Sequence, residues 1–339
     1  MTSKTRYFVI ASLLVIGVGL GTGLVAYYVG FPAGAFAGRG GPAELEYVPR
    51  DAAVIAYADV RDVMTSELRQ KLRSAIPMPA ENGQHELEEK TGINIETDVD
   101  RVIACVYPDR NGTTSHGGMV LARGRFNEGR IEGLMREHGA HVEDYRTKRL
   151  VVSDVIDGRS GQFALAFVEP GFVALGSANI VRASIDLHQA GNNPQTGVES
   201  VTGNEELMNL VRSLETGNAW AVGRFDALTS QAHLPESVVS QIPAITWFSV
   251  STHINGGIRG VLRAETRDDE AANNLRDVVR GFLALGKLQS GSHPEIQAMM
   301  QSLELGGTGK TVALSFDVPL QVFDLIESLR QGLPKPPAH

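Results

Sequence analysis

The run from Tyr7 to Phe31, 25 residues without a charged side chain and rich in Val, Leu, Ile and Gly, constrains this chain more than any other feature. A helix needs about 20 such residues to cross the hydrocarbon layer, whereas the apolar region of a cleavable signal peptide takes about 7–15. Length therefore predicts an uncleaved signal anchor over residues 7–31, although Ala33-Gly34-Ala35 and Ala35-Phe36-Ala37 have the form of a cleavage site. Tyr27 and Tyr28 stand near its outer end, where aromatic rings settle at the membrane interface. Lys4 and Arg6 precede the run and the next charge is Arg39, so the positive-inside bias puts residues 1–6 in the cytoplasm and the rest of the chain outside it. The lone cysteine, Cys105, is far from the segment, which excludes a lipid-modified N-terminal anchor and any disulfide within the chain.

Within the run, Gly17, Gly19, Gly21 and Gly23 form overlapping Gly-x-x-x-Gly matches. Their bare face lets a second helix backbone come close, so they are candidate helix-pairing residues for a homodimer. The same glycines imitate a dinucleotide-binding loop, but that loop must follow a strand and open a soluble helix.

Beyond the anchor the charge is lopsided. The first 43 residues hold Lys4, Arg6 and Arg39 and no acid, leaving 28 basic against 39 acidic residues. A domain of that sign without a basic cluster argues against nucleic acid, whose phosphates are held by Lys and Arg.

Residues 32–46 are Gly- and Ala-rich and read as a flexible spacer, with the fold starting near Tyr47. Short apolar runs bounded by turn residues predict strands at Ala53–Ala58, Val102–Tyr107, Met119–Arg123, His141–Arg146, Leu150–Val155, Phe163–Val168 and Phe172–Leu175. Helical spacing predicts one helix carrying Val60, Met64, Leu68 and Leu72, and others over Asn127–His138 and Asn179–Gln189, the last preceded by Ser177 as a cap. Gly191–Gly197 breaks every pattern, so the chain divides into a first half over 47–191, a linker over 192–201, a second half over 202–333 and a tail over 334–339. In the second half Thr202 and Glu205 form a capping box before an apolar helix, strands fall at Ala219–Phe225, Ile245–His253, Ile258–Ala264 and Thr311–Val318, and a long helix over about Asp269–Leu288 turns Leu275, Val278, Val279 and Phe282 inward. A helix capped by Ser292 and a final helix carrying Leu320, Phe323, Ile326 and Leu329 complete it. The expected class is α+β: a transmembrane helix, then two tandem, duplicated halves with mostly antiparallel sheet packed on helices. Duplication is suggested by three short matches: Ala53–Asp59 with Ala219–Phe225, Val120–Arg123 with Val261–Ala264, and Phe163–Phe167 with Val312–Phe316.

Tyr47-Val-Pro-Arg-Asp-Ala-Ala-Val-Ile-Ala-Tyr-Ala-Asp59, just past a membrane segment, resembles the opening of a family of bacterial exported, membrane-anchored proteins of unknown function, in which a Pro-x-Asp-Ala turn feeds an apolar strand. The resemblance implies a bacterial envelope protein and supplies no active site.

Motifs that imitate known sites fail on inspection. Gly306-Gly-Thr-Gly-Lys-Thr311 ends like a phosphate loop, but Glu304 stands where its first glycine belongs and a strand follows, so it reads as a hairpin turn. His85-Glu-Leu-Glu-Glu89 lacks the second histidine of a zinc-protease helix, and His138 with His141 lacks further ligands. Glu96-Thr-Asp98-Val-Asp100 begins like a calcium loop, but Arg101 occupies the position that demands glycine. There is no Gly-x-Ser-x-Gly elbow and no Ser-x-x-Lys pair, and Cys105, Trp220 and Trp247 sit in apolar strands, which suits core packing.

With no catalytic, cofactor or metal residues to name, the expected function is a non-enzymatic, single-pass protein of the bacterial cytoplasmic membrane. Its outer domain would bind another envelope protein or support a membrane complex. The competing readings are a periplasmic carrier of a small ligand or lipid and a hydrolase whose active site is assembled from scattered residues.

Overall fold

The computed structural model describes residues 41–75, 88–89, 92–108, 117–156, 159–190, 198–227, 244–289 and 294–322. The anchor over 7–31 with Gly17, Gly19, Gly21 and Gly23, most of the spacer, His85, the linker core over 191–197, Ser292 and the final helix from Phe323 lie outside the described residues. No helix among the described residues is long and apolar enough to cross a membrane.

The fold is α+β, built on one antiparallel sheet of twelve strands. In chain order these are β1 (Val54–Asp59), β2 (Val99–Tyr107), β3 (Gly117–Gly124), β4 (His141–Tyr145), β5 (Lys148–Ile156), β6 (Arg159–Glu169), β7 (Phe172–Ser177), β8 (Ala219–Arg224), β9 (Ile245–Ile254), β10 (Gly257–Thr266), β11 (Glu304–Gly306) and β12 (Thr311–Pro319). The helices are α1 (Val60–Met64), α2 (Glu67–Ala75), α3 (Ile95–Asp98), α4 (Glu128–Glu137), α5 (Ala178–Ala190), α6 (Glu205–Ser213), α7 (Asp269–Gln289) and α8 (Pro294–Ser302), with 3-10 turns at Ala43–Tyr47 and Val201–Gly203.

Across the sheet the order is β11-β12-β10-β9-β8-β1-β2-β3-β7-β6-β5-β4. The two halves meet where β1 pairs with β8, from Val54 opposite Gly223 to Ala58 opposite Ala219. Counted outward from that seam, the first half runs β1-β2-β3-β7-β6-β5-β4 and the second β8-β9-β10-β12-β11. The sequence matches of β1 with β8 and of β3 with β10 fall on strands in equivalent places. The third does not, because β12 lies beside β10 as β7 lies beside β3, whereas Phe163–Phe167 belongs to β6.

Alternation along the strands gives the sheet two apolar faces. On one, Ile55, Tyr57, Ile103, Leu121, Leu150, Phe172, Trp220 and Val222 pack beneath Leu45 of the first 3-10 turn, Val181 and Ile185 of α5, and Leu207, Met208 and Val211 of α6. The other face is covered in the first half around Val60 and Ile131, and in the second by α7 and α8, which pack Leu283, Met299 and Met300 on Phe316 and Val318. Burying these side chains is the main stabilising term, on the order of 1.5–3 kcal/mol for each large one.

Several elements depart from expectation. The folded region starts earlier than Tyr47, because residues 43–46 of the expected spacer form a 3-10 turn with Leu45 fully buried. The expected linker ends early too: Ser200 bridges to Pro49, and Val201 is buried. The helix expected from Val60 to Leu72 breaks in two. The Thr65 hydroxyl donates to the Arg61 carbonyl at 3.0 Å, and Ser66 accepts the Arg69 N–H at 3.1 Å to start α2 afresh. Thr202 sits inside a 3-10 turn, and Asn204 caps α6 by accepting the Leu207 N–H at 3.2 Å. Ser177 ends β7, its hydroxyl accepting from the Gly118 N–H at 3.3 Å. At the β6–β7 turn Gly171 holds φ +69°, and a Cβ there would lie 2.6 Å from the Gly124 carbonyl oxygen.

Candidate functional site

The site that stands out is a helix face. α7 is 21 residues long and carries apolar side chains on two sides. Ala271, Ala272 and Leu283 face the protein, but Val278, Phe282, Leu285 and Leu288 are 41%, 50%, 53% and 80% exposed. The expectation that Val278 and Phe282 point inward is therefore corrected. Leu283 packs on the cluster of Phe316 and Val318 and the small side chains Ala271 and Ala272 are buried instead, leaving the bulkier stripe in solvent.

Spacing gives this stripe a definite shape. Val278, Gly281, Phe282 and Leu285 stand at i, i+3, i+4 and i+7, the four corners of the hole that receives a side chain when two helices pack. Among the described residues nothing lies within 4 Å of where a Gly281 Cβ would be, so this corner of the hole is open. Val278 to Leu288 spans about 15 Å along the axis, enough for nearly three turns of contact. Charges sit beside the stripe without crossing it, since Arg280 pairs with Asp277 at 2.8 Å and Arg276 donates to the carbonyl oxygens of Gly309 and Thr311. Exposed clusters of large apolar side chains on soluble surfaces mark interaction sites more often than accidents of composition.

A second polar cluster ties down the start of the folded chain. Glu44 is buried and accepts from Arg123 Nε at 2.9 Å, with Arg101 3.8 Å away. Arg123 also reaches Glu169 at 3.3 Å and lies 4.4 Å over the Phe172 ring. Tyr47 donates its hydroxyl to Glu169 at 2.5 Å and stacks on His188 with ring centroids 5.6 Å apart. Burial first, then the Glu169 carboxylate, push the Tyr47 phenol up to about 12, while the Tyr47 hydroxyl leads the groups that hold the Glu169 carboxyl below its ordinary value. Only Glu44 Oε1 is engaged, Oε2 being buried without a hydrogen-bond partner among the described residues, while Arg123, Glu169 and Tyr47 bind one another, which suits a structural clamp.

The tempting motifs resolve into structure. Gly307 and Gly309, at φ +90° and +56°, turn the chain from β11 into β12, so the segment resembling a phosphate loop is a hairpin turn. Glu96 pairs with Arg69 at 2.7 Å, Asp98 with Arg125 at 3.6 Å and Asp100 with Arg61, so the acids resembling a calcium loop are all engaged. His138 ends α4 with Nδ1 2.9 Å from the Leu134 carbonyl oxygen, while His141 lies in the exposed edge strand β4. Cys105 is buried, and burial pushes its thiol far above the usual range. Trp220 is buried and stacks on Tyr57 at 5.6 Å; Trp247 packs at the margin of the same core. No cluster of His, Cys, Asp or Glu able to hold a metal occurs among the described residues.

No protein-family model matches the chain, and no curated protein matches it. One solved structure, described as "Structure of crystal form I of TP0453", is similar at 10% identity with a TM-score of 0.42, covering 84% of this chain and 96% of that one.

Proposed function

We propose that this is a non-enzymatic, membrane-anchored protein of the bacterial envelope whose outer domain docks a helix of another envelope protein on α7. The exposed stripe of Val278, Phe282, Leu285 and Leu288 around the open position at Gly281 carries the reading. A side chain of the incoming helix fits the space above Gly281, and burying the stripe supplies the free energy. Anchoring supports the same reading: a span over 7–31 with residues 1–6 in the cytoplasm would confine the domain to one surface, where even a small interface is populated at high local concentration.

The tandem halves read best as one duplicated unit. Both leave the β1/β8 seam with their first, second, third, last and next-to-last strands in that order, and the β4–β5 hairpin is the addition of the first half. Duplication supplies a broad platform that a single half, with its seam strand bare, would lack.

Site-specific photocross-linking in native membranes tests the docking. A photoreactive residue at Phe282 should give a discrete protein adduct, one on the exposed residue Asp144 of β4 should not, and Gly281→Leu should abolish the adduct by filling the hole. Adducts with lipid only, or an adduct indifferent to Gly281→Leu, would overturn the proposal.

A further inference from the structure

Among the described residues no helix covers the sheet face opposite α7 over the outer strands of the second half. In the first half this face is filled by α5, whose Val181 and Ile185 are fully buried against it. In the second half the register sets His253, Arg259 and Asp317 side by side across β9, β10 and β12. The next row holds Ser251, Val261, Ser315 and Glu304. Together they line a cleft of about 500 Å³, with Glu215 at its rim.

Two observations point to a ligand there. Ser251 is 2% exposed, yet its hydroxyl has no hydrogen-bond partner among the described residues, a costly state that an occupant of the cleft would relieve. Arg259, Glu304 and Asp317 form no ion pair among the described residues, although Arg259 and Asp317 stand directly opposite each other.

The mixture of groups selects the class of ligand. Glu215 is already neutralised by Arg263 at 2.6 Å. An anion would face the carboxylates of Glu304 and Asp317, and a polycation would face Arg259. A neutral molecule rich in hydroxyls suits both, because each hydroxyl donates to a carboxylate and accepts from a guanidinium or imidazole. Backbone groups of β9 and β10 are committed to neighbours on both sides, so an extended peptide cannot join this face as a strand. We infer that the cleft binds a neutral saccharide, a function independent of the helix docking on α7.

The test uses the full chain in lipid nanodiscs free of glycoside detergent, titrated calorimetrically with maltotriose, cellotriose and chitotriose. Spermidine and inorganic phosphate serve as charged counter-probes. Saturable binding of at least one trisaccharide is expected, weakened about tenfold or more by Arg259→Ala and about threefold or more by Ser251→Ala. Phe282→Ser should leave it unchanged, which separates this inference from the docking reading. No saturable binding of any trisaccharide, equal binding by both cleft variants, or binding of spermidine or phosphate alone would overturn it.

Discussion

Among single residues, Glu44 shows how little of a site a linear pattern reveals. In the sequence it is one acid at the end of a Gly/Ala-rich stretch; in the fold it is a buried carboxylate held by Arg123, which also serves Glu169. Nothing in the spacing of residues 44, 123 and 169 announces the cluster, because strands remote in sequence bring it together. Removing Arg123 would leave the Glu44 charge buried beside only the more distant Arg101, so Arg123→Ala should cost about 2 kcal/mol in chemical denaturation. Glu169 adds a pH dependence. Because its folded pKa is lowered, chiefly by the Tyr47 hydroxyl, its contribution is complete above the ordinary carboxylate range and fades as pH falls through the lowered value. Glu169→Gln should therefore flatten the acid side of a plot of melting temperature against pH; an unchanged slope would refute that role.

At the level of elements, strands are the most legible feature. Their apolar cores are short, turn-bounded and rich in branched side chains, and every strand except β11 is readable from the sequence, with shifted ends. β11 escapes because Glu304-Leu-Gly306 has no pattern long enough to detect, and only its ladder to β12 makes it a strand. α7 misleads in a different way. Leu275, Val278, Val279, Phe282, Leu283, Leu285 and Leu288 spread apolar character over two faces, and periodicity alone does not rank one above the other. Packing does, through Leu283 against the Met299 and Phe316 cluster. Leu283→Ala should accordingly destabilise the fold by about 1–2 kcal/mol, while Phe282→Ser should stay within about 0.5 kcal/mol in the isolated protein. Comparable losses from both variants would mean that Phe282 is covered from within the chain. The cleft residues are hidden for a third reason: they come from several elements, each contributing one or two unremarkable polar side chains.

For the whole molecule, a single sheet spanning both halves joins them into one body, and the proposed anchor over 7–31 would decide where that body works. If Gly19 and Gly23 form the pairing face expected from the sequence, replacing both with isoleucine should abolish self-association of Thr2–Pro32 in a membrane-association reporter while insertion persists. Equal reporter signal from both sequences would leave those glycines neutral. On the proposed function α7 lies on the outer side of the membrane and is covered by a partner there, and labelling of Phe282→Cys with a membrane-impermeant maleimide checks both. Native Cys105 stays silent, being buried with its thiol held protonated. In right-side-out spheroplasts labelling is expected without lysis, at a rate well below that of the purified chain in nanodiscs. Labelling only after lysis, or equal rates in the two settings, would contradict it.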